Sequence, residues 1–237
     1  MKKLNVLFMG LLLSGSMFLT GCTNADNPID NNPQVPPETP EVDDRIPTVI
    51  PDEVRDQIQE YITIYDGVTP PNVEGSYYLD PQTLIGSSLD YDMYGSVFLS
   101  DTQKYSGQDM QKNTIDMIRV CGNGSEWMKG SGAFISGSDD NFTIYFDMEG
   151  EVSGVPVKEA IVLSGTKTTE GIKNLTWGFI MKEKGDDPNG YVVPVGTFRI
   201  FTDGDGMSGN VEWPFGDTYG ARQIIQDNVL MTPHSMK

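Results

Sequence analysis

Three stretches of this chain alternate apolar and polar residues with a period of two, and they restrict its fold more than any other feature. In NFTIYFDM, Phe142, Ile144, Phe146 and Met148 share one face. In NLTWGFIM, Leu175, Trp177, Phe179 and Met181 do the same. VPVKEAIVL lines up Val155, Val157, Ile161 and Leu163, broken only by Glu159. A period of two is the signature of a strand with one buried face. Further strand-like runs are GSYYL (75–79), GSVFLS (95–100), TIDMIRVC (114–121), EWMKGSGAFIS (126–136), YVVPV (191–195) and GTFRIF (196–201). Turn formers separate them: CGNGS (121–125), GSDDN (137–141), GDDPNG (185–190) and DGDG (203–206). About nine short-linked strands of this kind predict a mostly β, antiparallel meander. To escape an open edge it must close as a barrel or fold over as a β-sandwich.

Ahead of the strands, IPDEVRDQIQEYITIYDG predicts a short helix over 51–65. Pro51 stands where a helix start tolerates it, and Asp52 and Glu53 follow in the first turn. Val54, Ile58, Tyr61, Ile62 and Tyr65 form one apolar stripe, which should plug or flank the strands.

The beginning of the chain is of another kind. Lys2 and Lys3 precede an uncharged, mostly apolar stretch from Leu4 to Phe18, and small residues lead to Cys22. This is the pattern of a secretory signal peptide over 1–21. Its apolar part is shorter than the ~20 residues a permanent membrane helix needs. Leu19-Thr20-Gly21-Cys22 resembles the lipobox of bacterial lipoproteins. That resemblance implies a lipidated Cys22 at the mature N-terminus and a location at the cell envelope. Several acyl chains hold a protein where one holds it poorly. Asp26 and Asp30 near the anchor favour the outer membrane. Residues 22–47 are rich in Pro, Asn and Asp and have little to bury, so they are expected to form a disordered tether. As polyproline II, about 25 residues reach ~80 Å. The domain then runs over 48–215, with a short amphipathic element and loose tail over 216–237.

With 16 Lys+Arg against 34 Asp+Glu, the full chain carries −18. Losing Lys2 and Lys3 with the signal takes it to −20. Such a surface repels nucleic acid, which is excluded as a partner. Once Cys22 is lipidated, Cys121 is the only thiol left, so no internal disulfide is expected and the core must supply the stability. The only histidine is His234, three positions short of the C-terminal Lys237. Triad catalysis and histidine-based zinc sites have little to work with, and no cofactor is expected.

PPNVEGSYYL, the meander after it, and LSGTKTTEGIKNLTWGFIMKEK with PVGTFRIFTDGDG resemble the calycin or lipocalin-like lipoproteins of Gram-negative bacteria, over about residues 70–205. True lipocalins open with Gly-x-Trp, and here Gly75-Ser76-Tyr77 stands in its place. The resemblance implies a lipocalin-like β-barrel and a late-strand cation, Arg199, packed across Tyr77 as a cation–π contact of ~0.5–2 kcal/mol.

The candidate binding residues are Asp116 and Glu159, acidic positions within apolar runs that would line a cavity if they face inward, together with Trp127 and Trp213. Asp203 and Asp205 in FTDGDGMSGN suggest calcium. However, Met207, Ser208 and Pro214 occupy the fifth, sixth and twelfth positions of the corresponding loop pattern, so a glycine turn is the better reading. The expected function is a lipid-anchored, non-catalytic binding module for a small apolar or mixed ligand. The alternative is an accessory protein of a surface complex, and third comes a carboxylate-based hydrolase.

Overall fold

The structure, a computed structural model, describes residues 52–122 and 124–215. The signal segment, Cys22, the tether and the 216–237 tail with His234 lie outside the described residues.

Helix α1 spans Asp52–Gln59 and is followed by eleven strands: β1 Gly75–Leu79, β2 Gln82–Ser87, β3 Val97–Phe98, β4 Asp101–Asp109, β5 Thr114–Cys121, β6 Glu126–Ser138, β7 Asn141–Val152, β8 Val155–Lys167, β9 Gly171–Lys184, β10 Phe198–Asp203 and β11 Met207–Asn210. All belong to one antiparallel sheet rather than to two stacked sheets. From β4 to β9 each strand pairs with its neighbour in sequence, as a meander requires. β11 pairs with β1 on one side and with the start of β9 on the other, so β11, β1 and β4–β9 close a ring of eight strands. β10, β2 and β3 extend from the remaining length of β9.

The alternating residues point as their period demands. Phe142, Ile144, Phe146, Val157, Ile161, Leu163, Leu175 and Trp177 are buried together inside the ring. Each such side chain contributes roughly 1.5–3 kcal/mol when removed from water. The outer face of the same strands divides in two. Where α1 lies, Phe134, Tyr145, Ala160, Val162 and Ile180 are buried against Ile58 and Ile62. Beyond the helix the outer positions are charged and cross-paired: Lys129 with Glu149 (3.4 Å), Lys158 with Glu183 (2.9 Å) and Lys182 with Asp147 (2.7 Å).

The helix is shorter than the 51–65 its periodicity predicts. It stops at Gln59, and the Tyr61 and Ile62 amides close the last turn on the Ile58 carbonyl. Tyr65 has left the helix, and its N–H donates to Thr143 Oγ1 (2.8 Å). The chain then crosses β6, where Gly67 and Gly137 meet backbone to backbone. A Cβ on Gly67 would lie 2.5 Å from the Gly137 oxygen.

YVVPV is not a strand. Pro194 has no N–H to give a ladder, and the Asp187 carboxylate claims the amides of Tyr191 and Val192. β2, β4 and β11 form where no strand is predicted. GSVFLS contracts to the two residues of β3.

Candidate functional site

The clearest departure from an apolar interior lies at the end of the ring that carries the β5–β6 and β7–β8 turns. Arg119 is on the inward face of β5, in step with Ile115 and Met117, and is buried. A buried guanidinium has to be paired. Its Nε donates to Asp101 Oδ2 (3.1 Å) on β4, and its Nη2 donates to Glu126 Oε2 (3.1 Å) on β6. Gln103 Nε2 donates to the same Asp101 oxygen (2.9 Å), and the Tyr105 hydroxyl donates to Gln103 Oε1. The guanidinium also lies 4.4 Å from the centre of the Trp177 ring. Trp177 in turn donates its indole N–H to Gln82 Oε1 (3.2 Å). Five strands thus contribute to one buried polar network.

Glu159 faces this network from β8. It is 3% exposed, and among the described residues its Oε2 has no hydrogen-bond partner. Burial pushes its carboxyl up to about 8, with Arg119 pulling the other way and Glu126 and Asp101 adding to the rise. Burial also raises Asp101 above its ordinary value against the pull of Arg119. For Arg119 burial acts downward, but Asp101, Glu126 and Glu159 together hold it above its usual range, so it stays charged.

Between these groups and the extension is a chamber of about 80 Å3. Arg119, Glu126 and Glu159 form its polar side, and Phe98, Trp177, Phe179 and Phe201 its aromatic side. The connection from β9 to β10 contributes Tyr191, Val192 and Val193 to its lining. That strap is fastened by Asp187, which accepts from the Val192 amide (3.0 Å), the Tyr191 amide (2.9 Å) and Lys184 Nζ (3.0 Å). These donors, the Val192 amide foremost, hold its carboxyl below the ordinary range. Removing their shared acceptor in Asp187→Ala is expected to speed amide hydrogen exchange at Tyr191 and Val192 by about tenfold or more, while amides of β7 keep their protection. Exchange read by NMR or mass spectrometry checks this. Unchanged rates would mean that the strap is held by its apolar contacts alone.

Of the four candidate binding residues, Glu159 alone lines the chamber. Asp116 belongs to the outward set of β5 and accepts the Gly132 amide (2.7 Å), which corrects the expectation of an inward carboxylate. The run has two faces, and Ile115, Met117 and Arg119 take the inner one. Trp127 points outward beside Lys129, along a shallow groove over the β7–β8 hairpin. Trp213 packs edge-on against Phe215 (5.0 Å) with Lys104 above it (5.8 Å), away from the chamber.

The Tyr77–Arg199 pair is not formed. The Tyr77 hydroxyl donates to the Val73 carbonyl (2.9 Å), and the cation over its ring is Lys167 from β8, at 5.2 Å. Arg199 is held in the extension, where it makes a two-pronged pair with Asp92 (2.7 and 2.9 Å) and lies over Phe98 (5.4 Å). β10 pairs with β9 and β2, and this sets Arg199 opposite Phe179 and Ser87 rather than beside β1.

The DGDG stretch is a turn. Asp205 accepts the Met207 amide (2.9 Å), and Asp203 accepts the Ser208 hydroxyl (2.8 Å), which ties β10 to β11. Among the described residues no group of three or more His, Cys, Asp or Glu is placed to hold a metal ion.

Arg119 is the residue that sequence reasoning missed. Its signal was present, since the face carrying Ile115 and Met117 also carries Arg119. Comparison with family models, with curated proteins and with solved structures finds no match to this chain.

Proposed function

We propose that this chain is a lipid-anchored envelope protein that holds a small ligand in the chamber at the end of its strand ring, without catalysing a reaction on it. The observation that carries this reading is Glu159. A buried carboxylate oxygen with no partner is costly in a closed domain, and it faces a chamber with aromatic walls. The closed ring and sequential meander support describing the domain as a calycin-like barrel. At about 80 Å3 the chamber suits a compact molecule rather than a fatty chain. A hydrolase needs a second carboxylate beside the acid, but Asp101 and Glu126 are both engaged by Arg119. The anchor is supported by the lipobox at Cys22, and the outer membrane is the expected location.

Native mass spectrometry of the full chain, extracted from membranes in mild detergent, tests both parts. The expected mass exceeds the mature polypeptide by the acyl groups on Cys22 and by a small adduct that is lost on denaturation. Cys22→Ala should remove the acyl mass and palmitate incorporation. A mature N-terminus elsewhere sinks the anchor. A preparation without an adduct, which also takes up no small molecule from a cell extract, sinks the chamber.

A second reading, docking to a partner in a surface complex, is favoured by the connection around β3. Tyr91, Met93, Tyr94, Val97 and Leu99 are all more than half exposed there.

A further inference from the structure

The charges around the chamber restrict what can enter it. Four elements present charged groups to the cavity: Arg119 on β5, Glu126 on β6, Glu159 on β8 and Arg199 on β10. Behind them Asp101 and Asp92 complete the set. Arg119 is answered by two carboxylates, and Arg199 is answered in full by Asp92. Four acids therefore face two guanidinium groups, and among the described residues Glu159 is the one of the four that accepts no guanidinium hydrogen bond. Even with Glu159 protonated, Asp101, Glu126 and Asp92 outnumber Arg119 and Arg199, so an anionic ligand would add to a negative surplus. A wholly apolar one would leave the Glu159 oxygen as it is, buried and unanswered. A positively charged donor would answer it.

The walls favour the same charge. Cations are attracted to aromatic faces, and Trp177 already has one face against Arg119 (4.4 Å). Trp177 and Phe201 are stacked at 5.0 Å, and Phe98 meets Phe201 edge-on at 5.1 Å, so these three rings form one contiguous aromatic surface in the lining. By the volume one water occupies in such a cavity, about 80 Å3 admits roughly half a dozen non-hydrogen atoms.

We infer that the ligand is a small organic cation, an ammonium on a compact apolar body, seated with its charge at Glu159 and its body against Trp177 and Phe201. The inference rests on the ligand-binding reading above and adds the ligand's charge to it. It also entails a proton. The empty site holds Glu159 protonated at neutral pH, so an ammonium binds with release of that proton. Arg119 opposes that protonation, while Glu126 and Asp101 favour it.

The test is calorimetry on the full chain in detergent, with three ligands of equal non-hydrogen count: pentylamine, 1-pentanol and butanoate. Pentylamine should bind at least tenfold more tightly than pentanol, and butanoate should show no saturable binding. Amine affinity should rise at least tenfold from pH 6 to pH 8, with proton release seen as a dependence on buffer ionisation heat. Glu159→Gln, checked for an intact melting transition, should weaken the amine at least tenfold and flatten its pH profile. The pH profile of the unaltered protein serves as a second readout that needs no variant. Equal binding of amine and alcohol, or an amine affinity indifferent to pH and to Glu159→Gln, overturns the cation while leaving the chamber in place. If none of the three binds, the chamber reading falls as well.

Discussion

Replacing Arg119 with alanine lowers the stability of the domain by about 3–5 kcal/mol, because it leaves the Asp101 carboxylate buried with its countercharge gone. For a domain of this size the melting temperature falls by roughly 6–20 °C. The loss is not the worth of the ion pair itself, since a buried pair returns little more than its own desolvation cost. A compensating change should therefore recover much of it. Arg119→Met combined with Asp101→Asn should lie at least about 2 kcal/mol above Arg119→Ala, since no unanswered charge remains at Asp101. Acid should also narrow the deficit, because Asp101 can then take a proton. Urea titrations at pH 7 and pH 5 measure all three effects. A single variant within 1 kcal/mol of the parent would show that water reaches Asp101 freely and that the network is not enclosed.

Glu159→Gln works in the opposite direction. In the folded protein burial lifts this carboxyl to about 8, against an ordinary value of 4.5. The folded state thus binds a proton more tightly than the unfolded chain. That contribution is complete below about pH 4.5, declines through the interval, and is gone above about pH 8. Relative to the parent, the glutamine variant should be close to neutral at pH 5 and should gain several kcal/mol at pH 9, with a slope approaching ~1.4 kcal/mol per pH unit between them. Asp101 also titrates upward on burial, so the informative quantity is the difference between the two proteins rather than either curve alone. Urea midpoints at pH 5, 7 and 9 provide it. Parallel curves would place Glu159 in contact with water.

How much of this was legible beforehand depended on whether burial and polarity agreed. β5 was predicted over 114–121 and forms there, and β1 likewise over 75–79, because their apolar faces are complete enough for a period of two to be seen. β4 has the same geometry, but its inward set is Asp101, Gln103 and Tyr105. Read for hydropathy, DTQKYSGQD is a loop. It is a central strand because those side chains satisfy Arg119 and one another, a fact about their partners and not about the run itself. β2 and β11 are short and rich in Gly, Ser, Thr and Asn, and their places come from the strands they meet.

The site follows the same division. Glu159 could be singled out because it interrupts an otherwise apolar face. Asp116 looked equivalent, yet it lies one residue out of phase with Ile115 and Met117. Parity within the run separates the two acids, and it would also have brought in Arg119. The Tyr77–Arg199 contact came from resemblance rather than from spacing, and the pairing of β10 with β2 sends Arg199 to Asp92 instead.

The closing of the ring has a consequence for how the chain reaches this form. β4 to β9 meet neighbours in sequence order, so their hairpins need only short loops. The seal depends on β1 and β11, which join Tyr77 to Asn210 from near the two ends of the described chain. Contacts so distant in sequence are entropically expensive to make and slow to form. On a chain emerging N-terminus first, β1 waits beside a finished meander until residue 210 arrives. For that interval the aromatic interior remains open along one seam, the time at which a chaperone would be needed most.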